Sequence, residues 1–474
     1  MRTFFLLLIT FALTNTLVAD EAIKGSIVKI FTVSKIPSYN TPWNSSIRRS
    51  HASGAIIEGN RILTNAHVVA NETFIEVKRY GDTKRYEAKV EFISHQADLA
   101  ILRVEEKGFF DGVTPLHLDG LPQIQQKVTV YGFPKGGSSL SVSEGVVSRI
   151  EHNRYVHSRE IFLSIQIDAA INPGSSGGPA LSDGKIVGVV MQQISKAQNI
   201  GYLVPVEVVR HFLDDIKDGH YDGFVHLGIS TEMLINKSLR KLYKMSKKQS
   251  GVLLIDMSEL SSGYGTLKRR DVLLAVDGHN IENDGTVEFR EHQFTSYKYY
   301  VDKKQVGDTI VFTVLRKGKE QQVRFRLTHT ADTNLLVNTL SYDNPPKYII
   351  YGGYVFSPLT RNLLMNSKAS LLDLRELAGR WATKEKQEVV VLLKVLATES
   401  NRGDHSFSLW TVDKIDVKPY KDFKEFVEIL RGFNGEQLVL EDKEGVQISI
   451  DVKEAKKVKE TVLKRYGIKS GKRL

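Results

Sequence analysis

The chain contains no cysteine in its 474 residues. Disulfide bonds, thiolate metal ligands and cysteine nucleophiles are therefore excluded, and stability must come from core burial. The metalloprotease motif His-Glu-x-x-His does not occur either, so nothing indicates a zinc-dependent mechanism. After the first twenty residues, no apolar run reaches the length of about 18 residues that a spanning helix needs. We expect no metal and no other cofactor.

The chain also has little excess charge outside its C-terminal end. The formal net charge is +10, but residues 452–474 contain nine Lys/Arg and two Asp/Glu, which leaves only +3 elsewhere. This balance does not indicate a nucleic-acid partner. The basic end can contact an acidic surface or an anionic lipid, but such runs are more often a solvated helix face or a frayed end. With 41% apolar and 25% charged residues, the composition is typical of a soluble globular protein.

The first twenty residues differ from the rest of the chain. A short positive start precedes an apolar run from Phe4 to Leu13, and a small-residue end follows at residues 17–19. These features predict a secretory signal peptide over residues 1–19, cleaved after Ala19. The apolar run is short for a membrane anchor. We therefore expect the mature protein to be exported to a bacterial periplasm, without membrane association after cleavage.

Residues 166–191 form a turn rich in glycine and serine between two apolar strand patterns, QIDAAINPGSSGGPALSDGKIVGVVM. Its glycines permit positive φ and let the backbone approach a bound group closely. A hydroxyl on such a turn is a candidate nucleophile, and the neighbouring backbone N–H groups can stabilise an oxyanion. The alternative is a surface turn between two strands.

A serine nucleophile needs a base and a group that orients the base. Among thirteen histidines, His67 differs because it ends an apolar strand pattern in the segment TNAHVV, and Asp98 begins the apolar run of ADLAIL. Taken singly, His67 is better explained as a half-buried histidine and Asp98 as a turn residue at a strand entry. With the Gly-Ser turn they supply base, orienting carboxylate and nucleophile in the order His, Asp, Ser, which trypsin-like double barrels use.

The segments TNAHVV, ADLAIL and DAAINPGSSGGPA resemble the three catalytic segments of the HtrA/Deg serine proteases. Residues 131–134 and 143–150 are similar to the loop and strand before the active serine of that family. The resemblance implies a catalytic triad of His67, Asp98 and Ser176.

The same resemblance implies further site residues. The oxyanion hole is expected at the backbone N–H groups of Gly174 and Ser176, while Ser175 stands where the family usually has Asn. By position, Ile171 and Ile194 are expected to form the S1 pocket. Because neither is charged, we expect a preference for small or medium aliphatic P1 residues.

Many short apolar runs, separated by turn residues up to about residue 206, predict a β barrel or sandwich. An amphipathic helix predicted from Pro205 to Ile216 marks the end of this region. The resemblance, here to the plant-type Deg subgroup, implies a mainly β fold class: a trypsin-like protease domain of two six-stranded β-barrels, followed by two α+β PDZ-like domains. The expected boundaries are residues 1–19 for the signal peptide, 20–220 for the protease domain, 221–332 for the first PDZ domain, 345–455 for the second PDZ-like domain and 456–474 for a basic C-terminal tail.

In the first PDZ domain, a loop and strand edge for peptide binding is predicted at Ser250, Gly251, Val252 and Leu253. Such an edge takes a peptide as an added strand, and its N–H groups bind the terminal carboxylate. A small α/β domain without a ligand is the alternative. The second PDZ-like region has a predicted helix with apolar residues at 423, 426, 427 and 430 but no glycine-led carboxylate loop, so we expect it to serve assembly or regulation.

The resemblance implies an ATP-independent serine endopeptidase that degrades misfolded or damaged exported proteins, with chaperone activity as a further expectation. Its expected partners are unfolded proteins and peptide C-termini, but no nucleic acid, and its expected assembly is a homo-oligomer built from trimers. Two alternatives remain at this point. One is a PDZ scaffold or holdase chaperone whose protease fold is idle, and the other is an esterase that uses the same triad.

Overall fold

The computed structural model describes residues 20–135, 137, 139–193, 200–366 and 372–474. The chain forms two compact units. The first unit consists of the N-terminal part through Lys35, residues 47–224 and residues 279–305, and the second consists of residues 36–46, 225–278 and 306–474. Within the described ranges, every helix is too short or too polar to cross a membrane. The mainly β fold class is confirmed, with two barrels and PDZ-like β domains.

The first barrel is a closed antiparallel sheet. Strand alternation places Val28, Ile30 and Leu102 in its core, each with no exposed surface, and closure leaves no free strand edge. In barrel order the strands are β1 (Ile27–Pro37), β2 (Ser45–Ile57), β3 (Arg61–Thr64), β6 (Leu99–Arg103), β5 (Tyr86–Ser94) and β4 (Glu72–Arg79). The short helix α1 (Ala66–Val69) follows β3.

The second barrel is also closed and antiparallel. In barrel order its strands are β10 (Pro179–Ser182), β11 (Lys185–Gln193), β12 (Gly201–Pro205), β9 (Ile161–Ile167), β8 (Ser141–Arg154) and β7 (Lys127–Gly132). The predicted amphipathic helix is confirmed as α2 (Val206–Asp215), which buries Val209 and Phe212. Two six-stranded barrels in one compact unit are what the sequence predicts.

The first sheet of the second unit has the strand order β13-β14-β15-β19-β20. Its elements are β13 (Ile229–Met233), α3 (Lys237–Leu242), β14 (Val252–Met257), β15 (Val272–Val276), β19 (Thr309–Arg316) and β20 (Lys319–Arg326). Asn236 caps α3 through hydrogen bonds from the backbone of Ser238 and Leu239, as is usual at helix N-termini.

The segment between β15 and β19 belongs to the first unit, which the sequence does not predict. It contains β16 (His279–Asn280), β17 (Thr286–Arg290), β18 (Gln293–Ser296) and α4 (Lys298–Asp302). The His152 ring is 2.8 Å from Thr295 Oγ1 and 3.1 Å from Asp302 Oδ2, and Tyr299 Oη donates to Glu207. These polar contacts tie the segment to β8 and α2.

The C-terminal part of the second unit contains two more antiparallel sheets. One has the order β24 (Trp410–Val412), β23 (Val390–Val395), β22 (Tyr354–Pro358), β21 (Tyr348–Tyr351) and β29 (Lys472–Arg473), and the other has the order β26 (Lys418–Pro419), β25 (Lys414–Ile415), β27 (Gln437–Glu441) and β28 (Gln447–Asp451). The helices are α5 (Ala331–Asn334), α6 (Arg361–Asn366), α7 (Leu372–Leu377), α8 (Phe423–Gly432), α9 (Val452–Lys457) and α10 (Lys459–Arg465). The predicted helix is confirmed as α8, with all four of its predicted apolar positions buried.

Of the two alternatives predicted for the basic C-terminal run, the structure has a solvated helix face rather than a frayed end. Arg473 and Lys472 pair with Tyr348 and Ile349 of β21, and Val462 and Ile468 are buried. The buried apolar residues and the exposed lysines lie on opposite sides of this region, as in an amphipathic segment packed on a sheet.

Candidate active site

The imidazole of His67 is held by a buried carboxylate. His67 lies in α1, and its Nδ1 is 2.8 Å from Asp98 Oδ2 and 3.0 Å from Asp98 Oδ1. The backbone N–H of His67 also donates to Asp98 Oδ1, at 2.9 Å. Asp98 is 1% exposed, whereas the His67 side chain is 32% exposed. The carboxylate can only accept here, so Nδ1 carries the proton and Nε2 is left as an acceptor.

The two groups change each other's protonation. Burial lowers the pKa of His67, but the negative charge of Asp98 and the hydrogen bond to it raise the pKa by more, to above its ordinary value of 6.5. Burial raises the pKa of Asp98, but the charge and hydrogen bond of His67 lower it by more, to below its ordinary value. The carboxylate is therefore ionised at neutral pH, and the imidazole is a stronger base than a free histidine.

Two neighbours support Asp98. The Asn65 side chain donates to the backbone carbonyl of Asp98 at 2.9 Å and so supports its left-handed backbone, with φ of +55°. The ring of buried His157 lies 6.1 Å from that of His67, and its Nε2 is 3.0 Å from Nδ1 of His95. The charge of His157 further lowers the pKa of Asp98.

The Ser176 turn is fixed to the first barrel by Ser53, which is fully buried. Ser53 Oγ donates to the carbonyl of Gly174 at 2.8 Å and accepts from the N–H of Phe133 at 2.7 Å. Its backbone N–H donates to the carbonyl of Ser176 at 2.9 Å. One residue of β2 thus holds the turn at two points, Gly174 through its side chain and Ser176 through its backbone.

Gly177 lets this turn lie directly against the end of the strand that leads to His67. Its φ is +80°, and an added Cβ would overlap Thr64 Oγ1 and the carbonyl oxygen of Ser53. Only glycine fits this conformation and this close approach. The fold therefore brings the serine turn next to the segment that carries the imidazole.

Ser176 is in a resting orientation. Its Oγ donates to the carbonyl of Met191 at 3.4 Å, and among the described residues it forms no hydrogen bond with His67. The N–H groups of Gly174 and Ser176 donate to no acceptor of the described residues. Two unused donors beside a hydroxyl can bind a developing oxyanion.

The structure describes one of the two predicted S1 residues. Ile171 is buried and packs on Gly201, where an added Cβ would overlap its side chain. Ile194 lies outside the described residues. Within the described ranges, no group of three or more His, Asp and Glu side chains could hold a metal ion.

The predicted peptide edge at Val252 and Leu253 was wrong. Val252 pairs with Met233 on one side and with Leu273 on the other, so β14 is an interior strand with no free backbone groups for an added peptide. The periodicity of the segment indicates a strand but not its place in the sheet. Gly251 and Ser250 precede this interior strand, and the outer strands of the sheet are β13 and β20.

Replacing Ser53 by Ala is expected to reduce kcat about tenfold and to lower the unfolding free energy by about 1–3 kcal/mol, because two buried backbone groups lose their partner. The control is Ser164→Ala, which removes a buried hydroxyl of β9 whose partner is the Glu151 carbonyl of β8. It should lower stability without changing kcat. Equal loss of kcat in both variants, measured by peptide hydrolysis and thermal unfolding, would contradict a role for Ser53 in holding the turn.

Sequence analysis did not single out Ser53, Asn65 or His157. Ser53 stands in the apolar C-terminal half of β2, ASGAII, and a lone hydroxyl in such a segment is a weak signal that a buried polar group has a specific partner. Asn65 lies two residues before His67, within the motif itself. Nothing near His157 in the sequence indicates that it packs against the site.

A double barrel with a buried His-Asp pair and a glycine-rich serine turn defines a trypsin-like serine peptidase. The trypsin-like peptidase domain family matches residues 52–189, and a PDZ domain family matches residues 337–472. Protease Do-like 4, mitochondrial, of Arabidopsis thaliana is 36% identical over 94% of this chain and 84% of its own length. Protease Do-like 2, chloroplastic, of the same plant is 34% identical over 95% of this chain and 75% of its own.

The chain therefore belongs to the Do-like (Deg/HtrA) family of serine proteases and is a serine endopeptidase. Among solved structures, the HtrA-type protease AlgW with decapeptide has a TM-score of 0.51 at 21% identity, over 65% of this chain and 97% of its own. This similarity shows the shared fold. The PDZ family match lies in the C-terminal region and ends at residue 472, so it covers most of the predicted basic tail of residues 456–474.

Proposed function

We propose that His67, Asp98 and Ser176 are the catalytic triad and that Gly174 and Ser176 form the oxyanion hole. The observation that carries this proposal is the buried Asp98–His67 pair beside a serine turn with two unused N–H donors. Apo serine proteases often have loose nucleophile–base geometry that tightens when substrate binds. Rotation of the Ser176 side chain away from Met191 is the step required here.

In the proposed reaction, Ser176 Oγ attacks the peptide carbonyl carbon while its proton passes to His67 Nε2. The N–H groups of Gly174 and Ser176 stabilise the oxyanion. The C–N bond then breaks, His67 donates the proton to the leaving amine, and the acyl group remains on Ser176. Water, deprotonated by His67, hydrolyses the ester. Asp98 keeps the imidazole in the required tautomer and stabilises its charged form.

We propose that the substrates of this protease are misfolded or damaged exported proteins. We also propose chaperone activity on the same polypeptides. The related AlgW structure contains a decapeptide, which supports peptide recognition by this fold. We place strand addition at β13, one of the two outer strands of its sheet, rather than at Val252. In this proposal, Ile171 contributes to the S1 pocket.

The proposed assembly is a homo-oligomer built from trimers. Sedimentation equilibrium of the purified protein tests this oligomeric state.

We further propose export through the signal peptide of residues 1–19, to the periplasm. The Arabidopsis relatives carry mitochondrial and chloroplastic names, so organellar targeting is the competing location. N-terminal sequencing of the protein purified from cell fractions decides between them. A mature chain that begins at Asp20 in the exported fraction is expected, and an uncleaved chain or an organellar fraction would contradict export.

The proposal is tested by intact-mass analysis after fluorophosphonate treatment. A single adduct that maps to Ser176, together with casein cleavage, is expected. An idle scaffold or holdase would show neither under any activating condition. An esterase would form the adduct and hydrolyse small esters but leave unfolded casein uncut.

A further inference from the structure

One surface of the second unit collects positive charge from three separated segments. Residues 233–255 contain six Lys/Arg and no Asp/Glu, and residues 268–270 and 316–319 read KRR and RKGK. In the structure these segments meet around a cavity of about 400 Å³. We call this surface the basic face. Its charged lining residues are Lys244, Lys268, Arg269, Arg270, Arg316 and Lys317, with Asp271 as the one carboxylate.

The carboxylate of Asp271 does not offset the positive charge of the other lining residues, because it is buried and its partners lie within the fold. Asp271 is 1% exposed and lies 2.6 Å from Arg316 Nη2, and it accepts from the Lys268 N–H at 2.9 Å. Arg269 pairs with Asp256. The remaining four cations form no ion pair with a carboxylate of the described residues. They are Lys244, Lys268, Arg270 and Lys317.

Three of these four cationic residues have a backbone conformation that is unfavourable for a residue with a long side chain. Lys244, Arg270 and Lys317 have φ of 59°, 72° and 53°, a left-handed region that glycine and asparagine adopt more easily. All three side chains are exposed. Turns that would tolerate glycine here carry long cationic side chains instead, which point to a role for charge at these positions.

An exposed leucine lies among these cations. Leu242 ends α3, lines the same cavity and is 70% exposed. A soluble phosphate or a nucleic-acid backbone offers an aliphatic side chain no favourable environment. A bilayer surface offers both anionic headgroups and an apolar layer just below them, and peripheral membrane proteins combine basic with apolar side chains for this reason.

We propose that the basic face docks on an anionic membrane surface, with lipid phosphates in the cavity and Leu242 inserted below the headgroups. This binding is peripheral and is independent of the proposed proteolytic function. It differs from the expectation of no membrane association after signal cleavage, which is drawn from the length of the apolar runs. Such runs cannot show a charged surface that is assembled from distant segments.

The test is co-sedimentation of the full chain with vesicles of phosphatidylcholine alone or of equal parts phosphatidylcholine and phosphatidylglycerol. Binding to the anionic vesicles only is expected, and it should be lost at about 1 M salt, where the screening length is about 3 Å. The triple variant Lys244→Glu, Arg270→Glu, Lys317→Glu should bind at least roughly a hundredfold more weakly. Leu242→Ser should weaken binding roughly tenfold.

Matched controls change the same charge or the same apolar area elsewhere. The charge control is the triple variant Lys456→Glu, Lys464→Glu, Lys469→Glu, which makes the same charge change on the exposed C-terminal helices and the following turn. The apolar control is Val417→Ser, which removes an exposed apolar side chain outside the basic face. Both should bind anionic vesicles like the natural chain. All variants should cleave soluble casein normally, which shows that they are folded.

Several outcomes overturn the proposal. Equal binding to neutral vesicles would exclude headgroup charge as the cause. Retained binding in the basic-face variant and lost binding in the C-terminal variant would assign the contact to the C-terminal helices. Binding of glycerol 3-phosphate as tight as that of vesicles would indicate a soluble anion site. Binding of single-stranded RNA without vesicle binding would indicate a nucleic-acid surface.

Discussion

Replacing Ser176 by Ala is expected to lower kcat for peptide hydrolysis by about 10⁶-fold, the loss that removal of the nucleophile causes in other serine proteases. The change removes only the hydroxyl, whose hydrogen bond to Met191 is long at 3.4 Å. Thermal unfolding should therefore change little. Activity is measured with a fluorogenic peptide and with unfolded casein, in the presence and absence of candidate C-terminal peptides.

The control is the neighbouring hydroxyl. Ser175 is buried in the same turn, and Ser175→Ala should keep most of the activity and the fluorophosphonate adduct. The assignment of the nucleophile is contradicted if Ser175→Ala loses activity and Ser176→Ala keeps it. If both variants and the natural chain are equally inactive, the idle-scaffold alternative is favoured. A Ser176→Ala chain that still suppresses aggregation of unfolded protein would establish chaperone activity apart from proteolysis.

Replacing Asp98 by Asn is expected to lower kcat/KM by about 10⁴-fold. The Asn amide can donate to His67 Nδ1, which places the ring proton on Nε2, where it blocks acceptance of the serine proton. Because Asp98 is 1% exposed and Asn has nearly the same shape, the fold should be retained. Circular dichroism and thermal unfolding check this point.

The pH dependence gives a second measurement on the same pair. His67 acts as a base only when neutral, so activity falls as the pH drops through its pKa. In the natural chain that pKa is raised above 6.5, and the acid limb of kcat/KM should lie above this pH. In Asp98→Asn the burial that lowers the pKa remains without the carboxylate that raises it, so the limb should move to lower pH. An unchanged limb would contradict Asp98 as the partner of the titrating group.

The catalytic segments were predictable because each carries its own local signal. Positive φ at Gly174 and Gly177 requires residues that the turn sequence supplies, and His67 and Asp98 stand at the ends of apolar strand patterns. The helices α2 and α8 were predictable for a similar reason, since apolar residues three and four positions apart define one buried face. These features depend on neighbours in the chain.

Other features depend on which strands meet, and that is not a local property. The segment at Val252 has a clear strand pattern, but its pairing on both sides makes it interior. The basic C-terminal run contains the short strand β29, whose partner lies more than 100 residues earlier. The residues 279–305 join the protease unit through polar contacts made by single side chains, and periodicity cannot register such contacts.

The sequence by itself determined the class of chemistry, because the order and spacing of three motifs specify base, carboxylate and nucleophile. It also determined the mainly β architecture through its short apolar runs. The tertiary structure decided how the serine turn is held by Ser53, which strands are the outer ones of a sheet, and that cations from three segments form one face. The physical reason is the same in each case: hydrogen-bond partners and summed surface charge arise only when distant residues are packed together.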